Sequence, residues 1–360
     1  MKQLIVYPTK FLGNMVVALR AMEAILAAHE DDELRILVDD SFKDILGCAF
    51  PDESRFICYP RRQLHEDSLF SRIRTYFEFA KSLRSIEYDC ALDMDGTVVS
   101  ARLMRLARAR RKLGPAFNKN KRRKIYTELI EMDQPTQHCF DDFSIMIDTL
   151  GLKPLSQNYY QFPPFGDMEQ IAKLLGFSAG VAREAFLGSR IVVLHVCATK
   201  DYKQWGIAKF AKLADSLVEQ GLSVIVVGAG AGERARIGQM FVLSKHRDEI
   251  INGHNKLSLV QLVTLLQHAK LYIGNDSGPM HLASASGVPL LALFGPTELV
   301  RWHPRVPQVR IVKGDALCSP DCQPEVCLRD YQCMSSLSVE KVQREVDRAL
   351  SLIGRYNSFG

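Results

Sequence analysis

The chain has 360 residues, of which 47% are apolar and 24% charged, with a net charge of +5. This composition is typical of a globular protein long enough for two domains, and it excludes disordered, collagen-like and fibrous chains. No apolar run reaches the roughly 20 residues of a membrane-spanning helix, and the N-terminus reads as a β-strand rather than a signal peptide. Nine cysteines, five of them isolated, favour a reducing compartment, so we expect a cytoplasmic protein.

The positive charge is concentrated in one part of the chain. Residues 61–130 hold 17 Lys and Arg against 8 Asp and Glu, and residues 101–124 alone hold 11 basic residues and no acid. Such a segment attracts an anionic surface or ligand. Nucleic acid, an acidic membrane and a phosphorylated glycolipid are the candidate partners, and a solvated helix face and loop is the plainer alternative.

The first half of the chain alternates strands with helices. Short apolar runs predict strands, and apolar residues at helical spacing predict a helix after a loop over residues 8–14. The predicted strands are 4–7, 34–38 and 91–95, and the predicted helix is 15–29. This alternation indicates a parallel sheet with right-handed crossovers.

Adjacent prolines and a glycine within residues 157–166 predict a linker, after which the alternation restarts. The second half has predicted strands at 191–196, 223–227, 271–273 and 290–294, and helices after Trp205, at 280–286 and at 338–353. We therefore expect an α/β fold with two doubly wound domains, 1–160 and 161–337. The last segment, 338–360, is expected to form a helix that packs back toward the N-terminal domain. Ligands of such sheets bind outside the carboxyl ends of the strands.

Residues 274–285 follow a predicted strand and open a helix. The small residues Ser277 and Gly278 leave backbone N–H groups uncovered at the helix start, where the helix dipole also favours an anion. His281 lies in the first turn and can face the same point. Asp276 alone is most simply a helix cap. Together these residues predict a phosphate-binding turn.

This turn, followed by Gly287-Val288-Pro289 and Phe294-Gly295-Pro296-Thr297, resembles that of the bacterial glycosyltransferases that move heptose from ADP-heptose onto the lipopolysaccharide inner core. The resemblance covers nearly the whole chain. It implies a GT-B-type fold, with two Rossmann-like domains facing across a cleft, and an inverting transfer that requires no cofactor. It also implies that Ser277, Gly278 and His281 hold the donor's diphosphate, with Asp276 in the same donor site.

A second block, residues 195–205, matches the same family. Lys203 matches the lysine that contacts the phosphates, and Thr199 matches a hydroxyl that assists it. An ammonium group there would stabilise the charge that a leaving diphosphate gains, although a single lysine at a helix start is more often simply solvated. A G-x-G-x-G string follows at 228–232 and is a weak dinucleotide signal. In the relatives this region borders the nucleoside, and Gly230 stands about where their ribose-contacting acid lies, with Glu233 nearby.

The loop after the first strand departs from the family. The relatives carry Gly-Asp there, and that Asp is their proposed general base, whereas this chain has Gly13-Asn14. An amide cannot accept a proton at neutral pH. Asp93 and Asp95 are the candidate replacements for the base, although strand-end carboxylates also commonly cap the next loop. Otherwise the reaction passes through an oxocarbenium-like transition state that needs no base, or the protein binds its ligands without transferring a sugar. Of these alternatives we favour an active enzyme.

The acceptor site is predicted in the first domain, at Gly13, Asn14, Arg110, Arg111 and Lys112. A lipid A/Kdo-type acceptor at the inner membrane surface would account for the basic charge, and no nucleic-acid-binding module is recognisable. The predicted location is therefore cytoplasmic and peripheral to the inner membrane. Two alternatives stay open: a transferase or epimerase that uses another nucleotide sugar, and a nucleotide-sugar-binding pseudoenzyme.

Four cysteines cluster in the second domain, with three, four and five residues between them: Cys318, Cys322, Cys327 and Cys333. Four thiolates so close in sequence can form a tetrahedral metal site, and zinc fits better than iron, although the paired C-x2-C knuckles are absent. Free thiols are the default prediction, and a structural zinc ion is the alternative.

Overall fold

A computed structural model describes residues 1–29, 33–116, 124–132, 137–152, 159–177, 180–188, 190–296, 299–316 and 324–356. The chain divides into two compact units, Met1–Tyr160 and Gln161–Gly360, and this boundary falls inside the predicted linker. Each unit contains one six-stranded sheet with helical crossovers. The predicted α/β class with two doubly wound units is therefore confirmed.

The described part of the first unit contains six strands and six α-helices. In chain order these are β1 (Gln3–Tyr7), α1 (Leu12–Ala28), β2 (Leu34–Asp39), α2 (Lys43–Ala49), β3 (Phe56–Tyr59), α3 (Arg61–Glu66), α4 (Leu69–Arg84), β4 (Glu87–Asp93), α5 (Val98–Leu106), β5 (Arg108–Pro115), β6 (Glu128–Ile130) and α6 (Cys139–Asp148). The strands are parallel in the order β3-β2-β1-β4-β5-β6. Because the order reverses between β1 and β4, the carboxyl ends of these two strands are the expected ligand edge.

Two local features of the first unit differ from the sequence prediction. The first helix begins earlier, because the Met15 N–H already donates to the Phe11 carbonyl at 3.0 Å. Gly13 and Asn14 therefore lie in the first turn of α1 rather than in a loop. In addition, part of the basic segment 101–124 forms the strand β5, whose three arginines are exposed while its last three residues are buried.

The described part of the second unit contains six strands and nine α-helices. They are α7 (Met168–Leu175), α8 (Val181–Leu187), β7 (Ile191–His195), α9 (Ile207–Glu219), β8 (Ser223–Val226), α10 (Ala231–Leu243), β9 (Ile251–Asn252), α11 (Leu259–His268), β10 (Leu271–Asn275), α12 (Gly278–Ser286), β11 (Leu290–Phe294), α13 (Leu299–Trp302), β12 (Val309–Lys313), α14 (Gln332–Ser335) and α15 (Val339–Tyr356). The parallel order β12-β11-β10-β7-β8-β9 repeats the arrangement of the first unit. Its reversal point lies between β7 and β10.

The C-terminal helix packs on the second unit. Val342, Val346 and Ala349 of α15 are buried in the same core as the β7, β8, β10 and β11 side chains. The buried face of its described part is thus used within this unit, and the expected packing toward the N-terminal domain stays a prediction. Among the residues that the structure describes, no helix has both the length and the apolarity needed to cross a bilayer.

Candidate functional site

The predicted phosphate-binding turn lies at the reversal point of the second sheet. β10 ends at Asn275, and α12 begins at Gly278 with Pro279 in its first turn. Ser277 is extended, with φ at −156°, and its side chain does not cap the helix. Ser277, Gly278 and Pro279 are half-buried between fully buried neighbours. The N-terminus of α12 therefore opens at the carboxyl edge of the sheet, where its N–H groups and dipole favour an anion.

Lys203 and Asp276 form an ion pair beside this helix start. The Lys203 Nζ atom lies 2.7 Å from Asp276 Oδ2, and the two side chains are 24% and 5% exposed. Asp276 thus bonds the lysine rather than the N–H groups of α12, which corrects the simpler expectation that it caps the helix. Because its partner is buried, the ammonium group is fixed at the mouth of the turn.

Two side chains hold the loop that carries this lysine. The Asn275 amide accepts from the Trp205 N–H at 2.9 Å and donates to the Cys197 carbonyl at 3.4 Å. The Arg236 guanidinium of α10 donates to the Val196 carbonyl at 2.9 Å and to the Trp205 carbonyl at 2.5 Å. These hydrogen bonds therefore fix both ends of the loop that carries Lys203. Sequence reasoning did not identify Asn275 or Arg236, since only the fold brings them to the loop.

A series of hydrogen bonds connects the turn to helix α10. The Ser277 hydroxyl lies 3.3 Å from His195 Nδ1, and His195 Nε2 lies 3.3 Å from Glu233 Oε1. The other Glu233 oxygen accepts from the Ala229 N–H at 2.9 Å. Burial raises the pKa of Glu233, but the hydrogen bonds from His195 and Ala229, together with the charges of His195 and His254, outweigh burial and hold the pKa of this carboxyl below its usual value. These hydrogen bonds orient the Ser277 hydroxyl, which the family resemblance assigns to the diphosphate.

His281 completes the cluster around α12. Its side chain is buried, and desolvation lowers its pKa to about 4, with a further contribution from the positive charge of Lys203. Asp276 acts in the opposite direction but does not compensate. The imidazole is therefore neutral at physiological pH and can form hydrogen bonds without adding charge.

Gly230 and Thr199 differ in how the protein uses them. Gly230 caps α10 with φ at +77°, a conformation that favours glycine. Its N–H donates to Asn255 at 2.7 Å, and its carbonyl lies 2.9 Å from His254 Nε2. Its backbone is therefore engaged within the protein. Thr199 is exposed, and its hydroxyl makes no hydrogen bond with a described residue, so it is accessible to a ligand.

The cysteine cluster is only partly described. Cys318 and Cys322 lie outside the described residues, while Cys327 is half-buried and Cys333 buried. Within the described part of the chain, no three His, Cys, Asp or Glu side chains are grouped as metal ligands would be. The predicted structural zinc site stays a prediction.

In the first unit, Asp93 ends β4 at the reversal point and is fully buried. One of its oxygens accepts from the Asp95 and Gly96 N–H groups at 2.9 and 2.8 Å. The other accepts from the Ser100 hydroxyl at 2.8 Å and from the Tyr126 hydroxyl at 2.6 Å. Burial raises the pKa of this carboxyl despite these bonds. With both oxygens occupied, Asp93 holds the turn between β4 and α5 together.

Asp95, two residues further on, has a different environment. Its side chain is half-buried, and its only hydrogen bond to a described residue is from the Thr97 hydroxyl at 2.7 Å. Burial raises its pKa to about 6, and the neighbouring Asp93 contributes, while Thr97 and Arg61 act in the opposite direction. A carboxylate with this pKa and free lone pairs can accept a proton near neutral pH.

Further polar groups line the same edge. The Tyr7 hydroxyl donates to the Asn14 carbonyl at 3.1 Å, and the Asn14 amide makes no hydrogen bond with a described residue. Arg61 donates to the Asp39 carboxylate and to the carbonyl of the proline that follows β1. Sequence reasoning missed Tyr7, Asp39 and Arg61. An arginine two residues after the third strand was the one available signal.

The three basic residues predicted to bind the acceptor lie elsewhere on the sheet. Arg111 forms a two-pronged pair with Glu128 at 2.7 and 2.8 Å, and Lys112 donates to two α5-end carbonyls at 2.7 and 2.8 Å. Arg110 lies 3.8 Å from acidic residues of β4. Register places all three before the carboxyl end of β5. The structure therefore does not bring them together with Asn14 and Asp95.

Comparison with known proteins identifies the family of this chain. Residues 76–331 match the model of glycosyltransferase family 9 (heptosyltransferase). Lipopolysaccharide heptosyltransferase 3 of Escherichia coli is 27% identical over 82% of this chain and 84% of its own length. Lipooligosaccharide heptosyltransferase 2 of Campylobacter jejuni is 25% identical over 98% of both chains. The structure of E. coli heptosyltransferase WaaC with ADP-2-deoxy-2-fluoro heptose superposes with a TM-score of 0.68 at 19% identity, covering 97% of this chain and 99% of that one.

The family match covers well over half of the chain, and the fold is that of the solved family member. The expected GT-B-type fold and the expected glycosyltransferase activity are both confirmed. This chain belongs to glycosyltransferase family 9, the heptosyltransferase family.

Proposed function

We propose that this protein is an inverting transferase that moves heptose from ADP-heptose onto the phosphorylated inner core of lipopolysaccharide. The observation that carries the proposal is the Lys203 ammonium group, fixed 2.7 Å from Asp276 beside the open N-terminus of α12. This is an anion site built for more than one negative charge, as a diphosphate requires. The fluorinated ADP-heptose bound to WaaC supports the choice of donor.

The second unit would bind the donor through its diphosphate. The N–H groups at the start of α12 and the Ser277 hydroxyl would contact the phosphate oxygens, and the exposed Thr199, in the loop that carries Lys203, would add a further contact. Lys203 would neutralise the charge that develops as the sugar–oxygen bond breaks. His281 stays neutral, so it can hydrogen-bond a phosphate without competing with the lysine for charge. Gly230 would set the path of the backbone next to the nucleoside.

Asp95 would serve as the general base in the first unit. The acceptor hydroxyl attacks the anomeric carbon opposite the leaving group, and the bond to the diphosphate breaks with its electron pair. The acceptor's proton passes to Asp95, whose pKa of about 6 leaves it ionised at neutral pH. Attack from the opposite face inverts the configuration. Asp93 has no oxygen free for this role, and Gly13 and Asn14 would bind the acceptor sugar.

The acceptor would be a lipid A/Kdo-type glycolipid, and the enzyme would work in the cytoplasm at the inner membrane. The heptosyltransferase relatives support this choice, since two of them are named for lipopolysaccharide and lipooligosaccharide. The surplus of basic residues between 61 and 130 suits a phosphorylated acceptor.

Transfer would need no metal ion, because Lys203 and the α12 N-terminus supply the positive charge. A zinc ion on the four cysteines would then be structural. Elemental analysis of the purified protein, paired with an assay after chelation, tests this point. Full activity in a metal-free sample supports it. Activity that is lost on chelation and restored by added metal, in a sample that circular dichroism shows to be folded throughout, overturns it.

The decisive experiment offers the purified full-length protein a panel of nucleotide sugars and a heptose-deficient inner-core acceptor. We expect mass spectrometry to find one added heptose, with ADP-heptose as the preferred donor, and NMR to show inverted anomeric configuration. Transfer from a different nucleotide sugar would establish the alternative transferase. Conversion of the free nucleotide sugar without acceptor would establish an epimerase. Calorimetric donor binding without turnover on any core acceptor would establish a pseudoenzyme.

A further inference from the structure

Helix α4 of the first unit carries an apolar face that is buried at one end only. Near its C-terminus this face is packed into the core by Phe79, Ala80 and Leu83. Toward the N-terminus the same side of the helix is exposed to solvent. Five large apolar side chains within nine residues are half to four-fifths exposed there: Leu69, Phe70, Ile73, Tyr76 and Phe77.

A groove of about 700 Å³ opens beside this exposed face, lined by α3, α4 and α5. Its apolar lining is accompanied by four arginines that form no ion pair with a described residue: Arg72, Arg84, Arg102 and Arg105. The nearby carboxylates do not neutralise them. Glu66 and Glu78 are paired with Arg62 and Arg74. We call the exposed apolar residues of α4 and these four arginines the α4 face.

Exposed aromatic and aliphatic side chains beside unpaired arginines are the features of helices that lie in a membrane interface. The apolar groups enter the boundary between headgroups and acyl chains, and the cations contact lipid phosphates. An apolar protein partner would account for the exposed side chains but not for four arginines that no described carboxylate neutralises. We propose that the α4 face binds the surface of a bilayer that contains anionic phospholipids.

The α4 face also leads to the candidate acceptor edge. Tyr59, at the carboxyl end of β3, lines the groove, and the Arg61 guanidinium lies 5.3 Å from the centre of its ring. Arg61 in turn bonds Asp39 at the end of β2, on the edge where Asp95 lies. A lipid-anchored acceptor would thus enter from the membrane side of this unit. The entry of a lipid-anchored acceptor rests on the proposed function, whereas the binding of lipid by the α4 face does not.

Flotation of the full-length protein with vesicles tests the inference. We expect binding to vesicles of phosphatidylcholine mixed with phosphatidylglycerol, little binding to pure phosphatidylcholine, and weakening by salt. Phe70 and Phe77 are 80% and 66% exposed, so Phe70→Ser with Phe77→Ser should keep the fold. The double variant should bind at least about tenfold more weakly. Arg72→Gln and Arg105→Gln should each cost about fivefold.

Matched controls come from the second unit. Val242→Ser removes an exposed apolar side chain from α10, and Arg247→Gln removes an exposed cation. Neither should change vesicle binding. Absence of binding to anionic vesicles, or binding that the α4 variants leave unchanged, would overturn the proposal. Self-association that is lost in the phenylalanine variant without any vesicle binding would replace it with a contact between copies of this chain.

Transfer assays separate this proposal from the proposed function. With a lipid-free acceptor fragment, the phenylalanine variant should match the wild type, while with acceptor embedded in anionic vesicles it should be about tenfold slower. If no heptose transfer is found but vesicle binding depends on the α4 face, the proposed function fails and this inference stands.

Discussion

The Lys203 ammonium group lies 2.7 Å from the Asp276 carboxylate, which is almost completely buried at the end of the strand that precedes α12. A buried carboxylate needs a partner, and this lysine provides it. The same pairing limits where the ammonium group can move. In the proposed reaction the lysine would thereby be held in place before the diphosphate leaves, and no reorganisation would be required at the moment of reaction.

Replacing Lys203 tests the role of this charge. Lys203→Ala should lower kcat by about 10²-fold and affect donor binding less, because the leaving-group charge is greatest in the transition state. Steady-state kinetics with calorimetric donor titration would measure both. Lys212→Ala, an exposed lysine of α9, is the matched control. A kcat equal to that of the wild type would rule out leaving-group stabilisation by Lys203.

Arg236 is expected to act as a positioning residue. Arg236→Met keeps the apolar stem but removes both hydrogen bonds to the lysine-bearing loop. We expect kcat/KM to fall about tenfold at a temperature where circular dichroism shows the variant folded. Loss of the bonds should also lower the free energy of unfolding by about 2 kcal/mol. A less stable variant with full kcat/KM would mean that the loop does not need these bonds for catalysis.

Asp95 should govern the pH dependence of transfer. Since burial raises its pKa to about 6, kcat/KM should rise with pH through 6 and then level off as the base becomes ionised. Asp95→Asn should remove this limb and lower the rate by about 10²- to 10⁴-fold. Because folding disfavours the charged carboxylate, the neutral amide should leave stability at pH 7.5 unchanged or higher. If kcat/KM of Asp95→Asn still rises with pH through 6, the ionisation belongs to another group.

Asp93 should matter for stability rather than for chemistry. Asp93→Ala leaves two N–H groups and the hydroxyls of Ser100 and Tyr126 without their acceptor. The free energy of unfolding, measured with urea, should fall by about 3 kcal/mol. Asp93→Asn preserves one acceptor oxygen and should cost about 1 kcal/mol while keeping kcat/KM. A folded but inactive Asp93→Asn would make Asp93, not Asp95, the base.

The low pKa of buried His281 should make the free energy of unfolding fall as the pH is lowered. Its pKa is about 4 in the folded protein and near 6.5 in an unfolded chain, so the unfolded state takes up a proton first as the pH falls. Between pH 7.5 and 4 this should reduce the free energy of unfolding by about 3 kcal/mol. His281→Gln should lack this part of the slope. Equal slopes for both proteins in urea titrations would contradict a neutral buried imidazole.

Local patterns explain the parts of the protein that sequence reasoning predicted well. The strand 290–294 is a continuous apolar run, and the structure has these bounds. The start of α12 was recognisable because small residues directly before a helix leave its first N–H groups open, a property of neighbouring residues. Phosphate binding at this turn stays a prediction. By contrast, β5 was missed because four of its first five residues are basic, and charge obscured the strand pattern.

Contacts between distant residues account for what sequence reasoning could not decide. Asp93 and Asp95 looked equivalent, but the second oxygen of Asp93 accepts from Ser100 and also from Tyr126, which is 33 residues away. Arg236 and Asn275 reach the lysine loop from positions 31 and 70 residues beyond Trp205. Composition, periodicity and short motifs determined the fold class, the alternation of elements and the turn that begins α12, because each depends on residues that are near in the chain. Which carboxylate is free, and what holds the lysine in place, was decided by tertiary structure, because desolvation and hydrogen bonding depend on neighbours that only folding brings together.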